Sequence, residues 1–228
     1  SRQQLEPGPS QHLSRALRME AGAQLLLFNG DGFSYAATIS AVGKRAVEVC
    51  VGQPREENTE SPLSVHLGIA ISRGERMDWV VQKATELGIA TISPLHTERT
   101  GVQLKGERRE KKLRHWQQVA ISACEQCGRN RLPAIAAPAG LASWIADTRA
   151  ERRLVLHHRA GAGIHREPIP STVALLVGPE GGFSAAEIKL AEAAGFEALA
   201  LGPRELRTET APLAALAILQ ARWGDMGL

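Results

Sequence analysis

The chain has 228 residues, 43% of them hydrophobic, and a formal net charge of +3. That length can bury the core of one large domain or two small ones. Three cysteines cannot all pair within the chain, no apolar run reaches the ~18–20 residues of a membrane span, and no secretory signal is visible. A disulfide-built secreted scaffold and a membrane-spanning protein are therefore excluded, and a cytoplasmic location is expected.

Residues 1–61 form the first expected domain. Ser10 is placed to cap a short helix through "QHLSRALRM". "AQLLLF", "SYAATISAV" and "RAVEVCV" then alternate apolar and polar residues and are separated by "NGDG" and "GK". Period-two spacing between glycine turns predicts hairpins and a small β-rich domain. "GQPREENTESP" (52–62), polar and proline-flanked, reads as the linker.

Residues 62–228 change to alternating strands and helices. "SVHLGIAI" predicts a buried strand, and "GERMDWVVQKATELG" a helix closed by Gly88, with Trp79 on its core face. "IATISPL" is the next strand. A basic segment follows, in which Arg99, Lys105, Arg108, Arg109, Lys111, Lys112 and Arg114 face only Glu107 and Glu110. It runs into a long helix over 107–127, where Leu113, Trp116, Ala120, Ala123 and Cys127 share one face. "LVLHH", "TVALLV" and "EALALG" supply further strands. "TAPLAALAILQARW" closes the chain as a helix that is apolar nearly all round and suits either a core or a subunit interface. Alternating elements of this kind predict an α/β fold with a mostly parallel sheet covered on both faces.

Two strand-to-helix loops carry the candidate chemistry. In "LLVGPEGGFSAAEI", Ser184 and Glu187 make a capping box, Phe183 and Ile188 occupy the positions of a hydrophobic staple, and Gly195 ends the helix. Neither a Walker loop nor the dinucleotide fingerprint fits Gly178-Pro-Glu-Gly-Gly. Pro179 has no N–H to donate, and Glu180 would repel a pyrophosphate, so a neutral or cationic ligand is the better guest. "LGPRELRTETAP" is the second loop. Two such loops at the carboxyl end of a parallel sheet make a ligand crevice. Cys124 and Cys127 lie late in a long helix with no second pair elsewhere, which argues for packing and against a redox or zinc site, and no metal is expected.

"RMDWVVQKATELGI", "PLHTER", "ACEQCGRNR", "LLVGPEGGFSAAEI" and "LGPRELRTETAPLAALAILQ", in that order, together with "HLSRALRM" and "LLLFNGDG", resemble the RsmE family of ribosomal RNA uridine-N3 methyltransferases within the SPOUT superfamily. The resemblance implies an N-terminal PUA-like β-barrel, an α/β domain with a deep trefoil knot, S-adenosyl-L-methionine as cofactor, and a homodimer. It also implies that a few residues of the usual start precede Ser1. The substrate would be small-subunit ribosomal RNA, free or within an assembled subunit. Carried onto this sequence, the cofactor residues are Leu95, Thr97, Gly178, Gly182, Leu201, Gly202, Leu206, Arg207 and Thr210. Arg207 and Glu209 are the catalytic candidates, with Glu180, Glu98 and His96 as rival bases. Arg15, Arg18, Arg108, Arg109, Lys112, Arg129 and Arg131 are the expected RNA contacts. From the residues alone, a nucleotide-binding enzyme and a non-catalytic RNA-binding protein stay open as alternatives.

Overall fold

The computed structural model describes residues 1–44, 46–157 and 168–227. They divide into two units, Ser1–Thr59 and Glu60–Leu228. In the first, β1 (Arg2–Gln4), β2 (Gln24–Leu27), β3 (Phe33–Val42) and β4 (Val47–Glu56) form an antiparallel sheet in the order β1-β4-β3-β2. The "NGDG" turn joins β2 to β3, with Gly30 and Gly32 at φ of 89° and 94°, a conformation that costs a glycine nothing. Leu13, Ala37, Ile39, Val47 and Val49 form this unit's core.

Two expectations for this segment are corrected. Pro7 and Pro9 start helix α1 (Pro7–Gln11), because proline is pre-set for the first helical turn, so Ser10 lies inside the helix. Its buried hydroxyl donates to the Leu5 carbonyl and accepts from the Val47 N–H, both at 3.1 Å. Residues 52–56, expected as linker, extend β4, with Pro54 opposite Tyr35. The proline is tolerated there because β1 pairs only with Glu48 to Cys50, leaving that end of β4 with one neighbour among the described residues.

The second unit contains β5 (Ser64–Ala70), α2 (Arg76–Glu86), β6 (Thr91–His96), α3 (Gly106–Cys127), β7 (Ala134–Ile135), β8 (Ala139–Gly140), α4 (Leu141–Asp147), β9 (Arg152–Leu156), β10 (Thr172–Val177), α5 (Ala185–Ala193), β11 (Glu197–Leu199) and α6 (Thr210–Trp223). Its sheet has seven strands in the order β11-β9-β10-β5-β6-β7, with β8 also on β6. All of its pairings are parallel. Alternation along β10 feeds two cores: Val173, Leu175 and Val177 pack with α2, α3 and α6, and Ala174 and Leu176 pack with Trp144, Ile145 and Ala191 of α4 and α5. Helices on both faces explain why the strands read as continuous apolar runs.

Helix α2 buries Met77, Val80, Val81, Ala84 and Thr85, and Gly88 follows it at φ 78°. Trp79 does not share that face. Two residues beyond Met77 is about 200° round the helix, and its side chain is half exposed. Helix α6 buries Pro212, Ala215, Leu216, Leu219, Gln220 and Trp223, while Ile218 remains 44% exposed. No helix among the described residues is long and apolar enough to cross a membrane.

Arg129 is also corrected: it is a fold residue, 5% exposed. Its guanidinium makes a two-point contact with the Glu60 carboxylate and donates to the Thr85 carbonyl, 2.8 Å away in the last turn of α2. Arg129→Ala leaves that carboxylate and carbonyl without their cation, and should lower unfolding free energy by about 3–5 kcal/mol in urea titrations. Arg131→Ala, at an exposed position, should change it by about 0.5 kcal/mol or less.

On β5, His66 Nε2 accepts from the Trp144 indole N–H at 3.1 Å and lies 2.8 Å from Ser93 Oγ. An indole N–H only donates, so Nε2 must be unprotonated. Burial lowers the pKa of His66. The unfolded chain therefore takes up this proton first, and the stabilisation present above the ordinary histidine pKa is lost as pH falls below about 6.5. Urea midpoints should drop between pH 7.5 and 5.5, and His66→Gln should shrink that drop.

Candidate functional site

Because every pairing in the large sheet is parallel, the end of β9 and the loops after β6, β10 and β11 lie at the same edge. They enclose a cavity of about 350 Å³, within the size range of small-molecule sites. The loop after β10 supplies Gly178, Pro179, Glu180, Gly181, Gly182 and Phe183, and the loop after β11 supplies Leu201, Gly202, Arg204, Glu205, Leu206 and Thr208. Leu156 and His157 come from the end of β9, Arg99 from the loop after β6, and Ala211 from the start of α6.

The β10 loop is shaped by its own sequence. Gly182 N–H closes a turn onto the Pro179 carbonyl at 2.8 Å, and Gly182 takes φ 65°. Ser184 caps α5 as its spacing predicts: its Oγ accepts from Glu187 N–H at 3.2 Å, and Glu187 Oε2 accepts from Ser184 N–H at 2.8 Å. Glu187 does more than a capping box requires. Its other oxygen, Oε1, accepts from Glu98 N–H at 2.8 Å, which fastens the β6 loop to the start of α5. Arg99 makes a second tie between the same loops by donating to the Gly181 carbonyl at 2.7 Å.

Glu180 lies at the rim and is held by Arg76, the first residue of α2, at 2.5 Å. Arg76 also stands 3.9 Å from Glu209. One arginine thus bridges the two glycine loops. Spacing gives no hint of this, because the partners lie 104 residues apart.

The expected cofactor residues separate into two groups. Gly178, Gly182, Leu201, Gly202 and Leu206 line the cavity, whereas Leu95, Thr97, Arg207 and Thr210 are not among its lining residues. Leu95 is fully buried in the core, with its carbonyl accepting from Ile71 N–H at 3.0 Å. Thr97 is bound into its own turn, its N–H donating to Thr100 Oγ1 at 3.0 Å. Arg207 is exposed, and its carbonyl accepts from Thr210 N–H and Ala211 N–H, both at 2.9 Å, at the start of α6. Arg207 makes no ion pair with Glu209; Arg76 occupies that place. Sequence reasoning missed Arg99, Leu156, His157, Arg204, Glu205, Thr208 and Ala211 as cavity residues. Their shared signal is position just beyond a strand or before a helix at the same sheet edge. The second histidine of "LVLHH", His158, lies outside the described residues.

The basic residues are placed unevenly. Arg15, Arg18, Arg108, Arg109 and Arg131 are exposed. Arg18 holds φ 51°, a left-handed conformation that costs a non-glycine residue roughly 1–2 kcal/mol. Lys112 is partly covered, 3.9 Å from Asp78. Cys124 is fully buried, with burial pushing its thiol up to about 11, and its S–H donates to the Arg131 carbonyl at 3.6 Å. That is a packed, unreactive cysteine.

A family model described as RNA methyltransferase domain matches residues 59–220, and one described as RNA methyltransferase PUA domain matches residues 10–50. The ribosomal RNA small subunit methyltransferase E of Buchnera aphidicola (Schizaphis graminum) is 38% identical over 217 residues, covering 94% of this chain and 88% of the relative. The protein of that name from Bacillus subtilis is 30% identical, covering 96% and 93%. Among solved structures, a methyltransferase from Legionella pneumophila in complex with S-adenosylmethionine superposes with a TM-score of 0.96 at 46% identity, covering 99% of this chain and 93% of the other. The small subunit methyltransferase E from Neisseria gonorrhoeae, bound to S-adenosylmethionine, gives 0.93 at 36% identity, covering 100% and 94%. The α/β unit and the antiparallel unit before it are thus the two parts of one known architecture, and the chain belongs to the RNA methyltransferase family whose members include ribosomal RNA small subunit methyltransferase E.

Proposed function

We propose that this chain transfers a methyl group from S-adenosylmethionine to N3 of a uridine in small-subunit ribosomal RNA. The observation that carries the reading is the cavity between the two glycine loops at the carboxyl edge of the sheet. Its lining fits the cofactor: glycines permit close backbone approach, Leu156, Val177, Leu199 and Leu206 offer apolar wall, and Glu180 and Glu205 tolerate a cation. When bound, S-adenosylmethionine supplies an electrophilic methyl on a positively charged sulfur. The loops of this chain hold and orient it. Such positioning contributes up to ~7–11 kcal/mol toward the barrier in favourable cases.

N3 of uridine is a weakly acidic imide nitrogen and must lose its proton to attack. A positioned base accelerates such a step by about 10²–10⁴-fold. Glu209 is the leading acceptor, since its Oε2 is enclosed and accepts no hydrogen bond. Arg207 is free to stabilise the anionic ring or a phosphate. Arg15, Arg18, Arg108, Arg109 and Arg131 are proposed to hold the RNA backbone, contacts that position without reading bases. A second copy of the chain covering the exposed apolar side of α6 around Ile218 belongs to the same reading, as does the trefoil knot implied by the resemblance.

Calorimetry should show binding of S-adenosylmethionine and of its demethylated product, and none of NAD or ATP. A chain that binds none of them is a non-catalytic RNA-binding protein. Glu187→Ala frees the Glu98 and Ser184 N–H groups together and should weaken the calorimetric affinity severalfold. Arg207→Ala should lower single-turnover methylation with thermal unfolding unchanged; a rate equal to wild type removes Arg207 from the site.

A further inference from the structure

The two glycine loops that wall the cavity are held to different degrees. The loop after β10 is fastened through Glu187, Arg99 and its own turn at Gly182. The loop between β11 and α6 is held at its ends: the Leu199 carbonyl accepts from His157 N–H at 3.0 Å, and the Arg207 carbonyl from Thr210 and Ala211 N–H at 2.9 Å. Between those points, residues 201–206 make no backbone hydrogen bond to any described residue. Gly202, at φ 92°, and the exposed Leu206 lie in this span, and both line the cavity. Few hydrogen bonds and an exposed apolar side chain mark a segment of low local stability.

Arg76 joins the firm wall to the loose one without lining the cavity itself. Helix α2 gains nothing from it, because a cation in the first turn opposes the helix dipole. Its Nη1 donates to Glu180 Oε1 at 2.5 Å, so the contact with the β10 loop is made. The contact with Glu209, just before α6, is only half made. Arg76 Nε stands 3.9 Å from Glu209 Oε2, about 1 Å beyond a hydrogen bond. That oxygen is enclosed and accepts no hydrogen bond. A buried acceptor left unsatisfied is costly, and here the donor that would satisfy it is charged and adjacent.

We propose that Arg76 is a positioning residue, a latch whose second half closes when the cofactor enters the cavity. The proposal rests on the methyl-transfer reading above and concerns the chain's own loops. A ligand filling the cavity gives Leu201, Gly202 and Leu206 a surface to pack on. As that loop settles, Glu209 at its far end moves the remaining ~1 Å onto Arg76 Nε. Arg76 then holds both walls at once, through two nitrogens of one guanidinium plane. Whatever favours closing strengthens binding by the same factor, because the two equilibria are linked. Arg76 therefore sets cofactor affinity from outside the pocket. Lysine cannot replace it fully, since a single ammonium on a flexible stem lacks the plane that meets both carboxylates.

The test is calorimetry of S-adenosylmethionine binding to the full chain, with melting temperatures of the cofactor-free proteins as control. Arg76→Ala should weaken binding on the order of tenfold, inside the ~2–30-fold reached by residues that touch no ligand. Arg76→Lys should recover only part of that loss. Glu209→Gln should weaken binding severalfold, and the double variant should bind no more weakly than Arg76→Ala alone. The Arg76 and Glu180 side chains are 43% and 44% exposed, so losing their pair should lower the melting temperature by about 4 °C at most. Trp79 lines a groove with Arg76 and Glu209 and reports the closing by its fluorescence. That signal, taken as the difference between wild type and Trp79→Phe, should change on cofactor addition. With Arg76→Ala in both proteins it should stay constant at saturating cofactor. The latch is overturned if Arg76→Ala binds with wild-type affinity, if the Arg76 and Glu209 losses multiply, or if the Trp79 signal responds without Arg76. In each of those cases the methyl-transfer reading stands. If the wild type binds no S-adenosylmethionine, that reading falls and the latch with it.

Discussion

The carboxylate of Glu187, 7% exposed, accepts from two backbone N–H groups, those of Ser184 and Glu98. The first belongs to the start of α5 and the second to the loop after β6, 89 residues earlier. A buried carboxylate is costly unless it is hydrogen-bonded and its charge is offset. Here both oxygens are used, and the charge sits at a helix N-terminus that favours it. The glycine loop between β10 and α5 is therefore pinned at its helical end, and Arg99 pins its middle through the Gly181 carbonyl. A wall of small residues, intrinsically free to move, becomes one with a fixed shape.

Arg76 performs the corresponding task at the opposite rim. Its contacts with Glu180 and Glu209 join the β10 loop to the start of α6 through the first turn of α2. The 2.5 Å contact with Arg76 compensates the charge of Glu180. An arginine suits this position because it is charged at every working pH and can meet two carboxylates from one plane.

Much of this was legible before any coordinates. Helix spacing in α2 and α3, the capping box at Ser184, and the apolar runs of β5 and β10 all follow from local rules, and those rules hold because each element buries one face. The two glycine loops were legible as ligand walls for the same reason, since strand-to-helix connections in a parallel sheet share an edge. Other features depend on partners distant in sequence. Arg129 reads as one more member of a basic cluster, and only the placement of Glu60 and Thr85 makes it a core ion pair. Trp79 reads as core because tryptophan usually is, and its angular position on α2 says otherwise. Leu95 lies in β6 and Thr97 just after it, where the sheet's interior and a local turn hold them. The short strands β1, β7 and β8 were invisible because two or three residues carry no periodicity.

The direct test of the account follows the methyl group itself. The purified chain is incubated with S-adenosylmethionine bearing an isotopically labelled methyl and with small ribosomal subunits from cells lacking the gene, and the digested RNA is analysed by mass spectrometry. The label should appear in N3-methyluridine and in no other nucleoside. Label in a different nucleoside, or RNA without label under conditions where the cofactor binds, would contradict it.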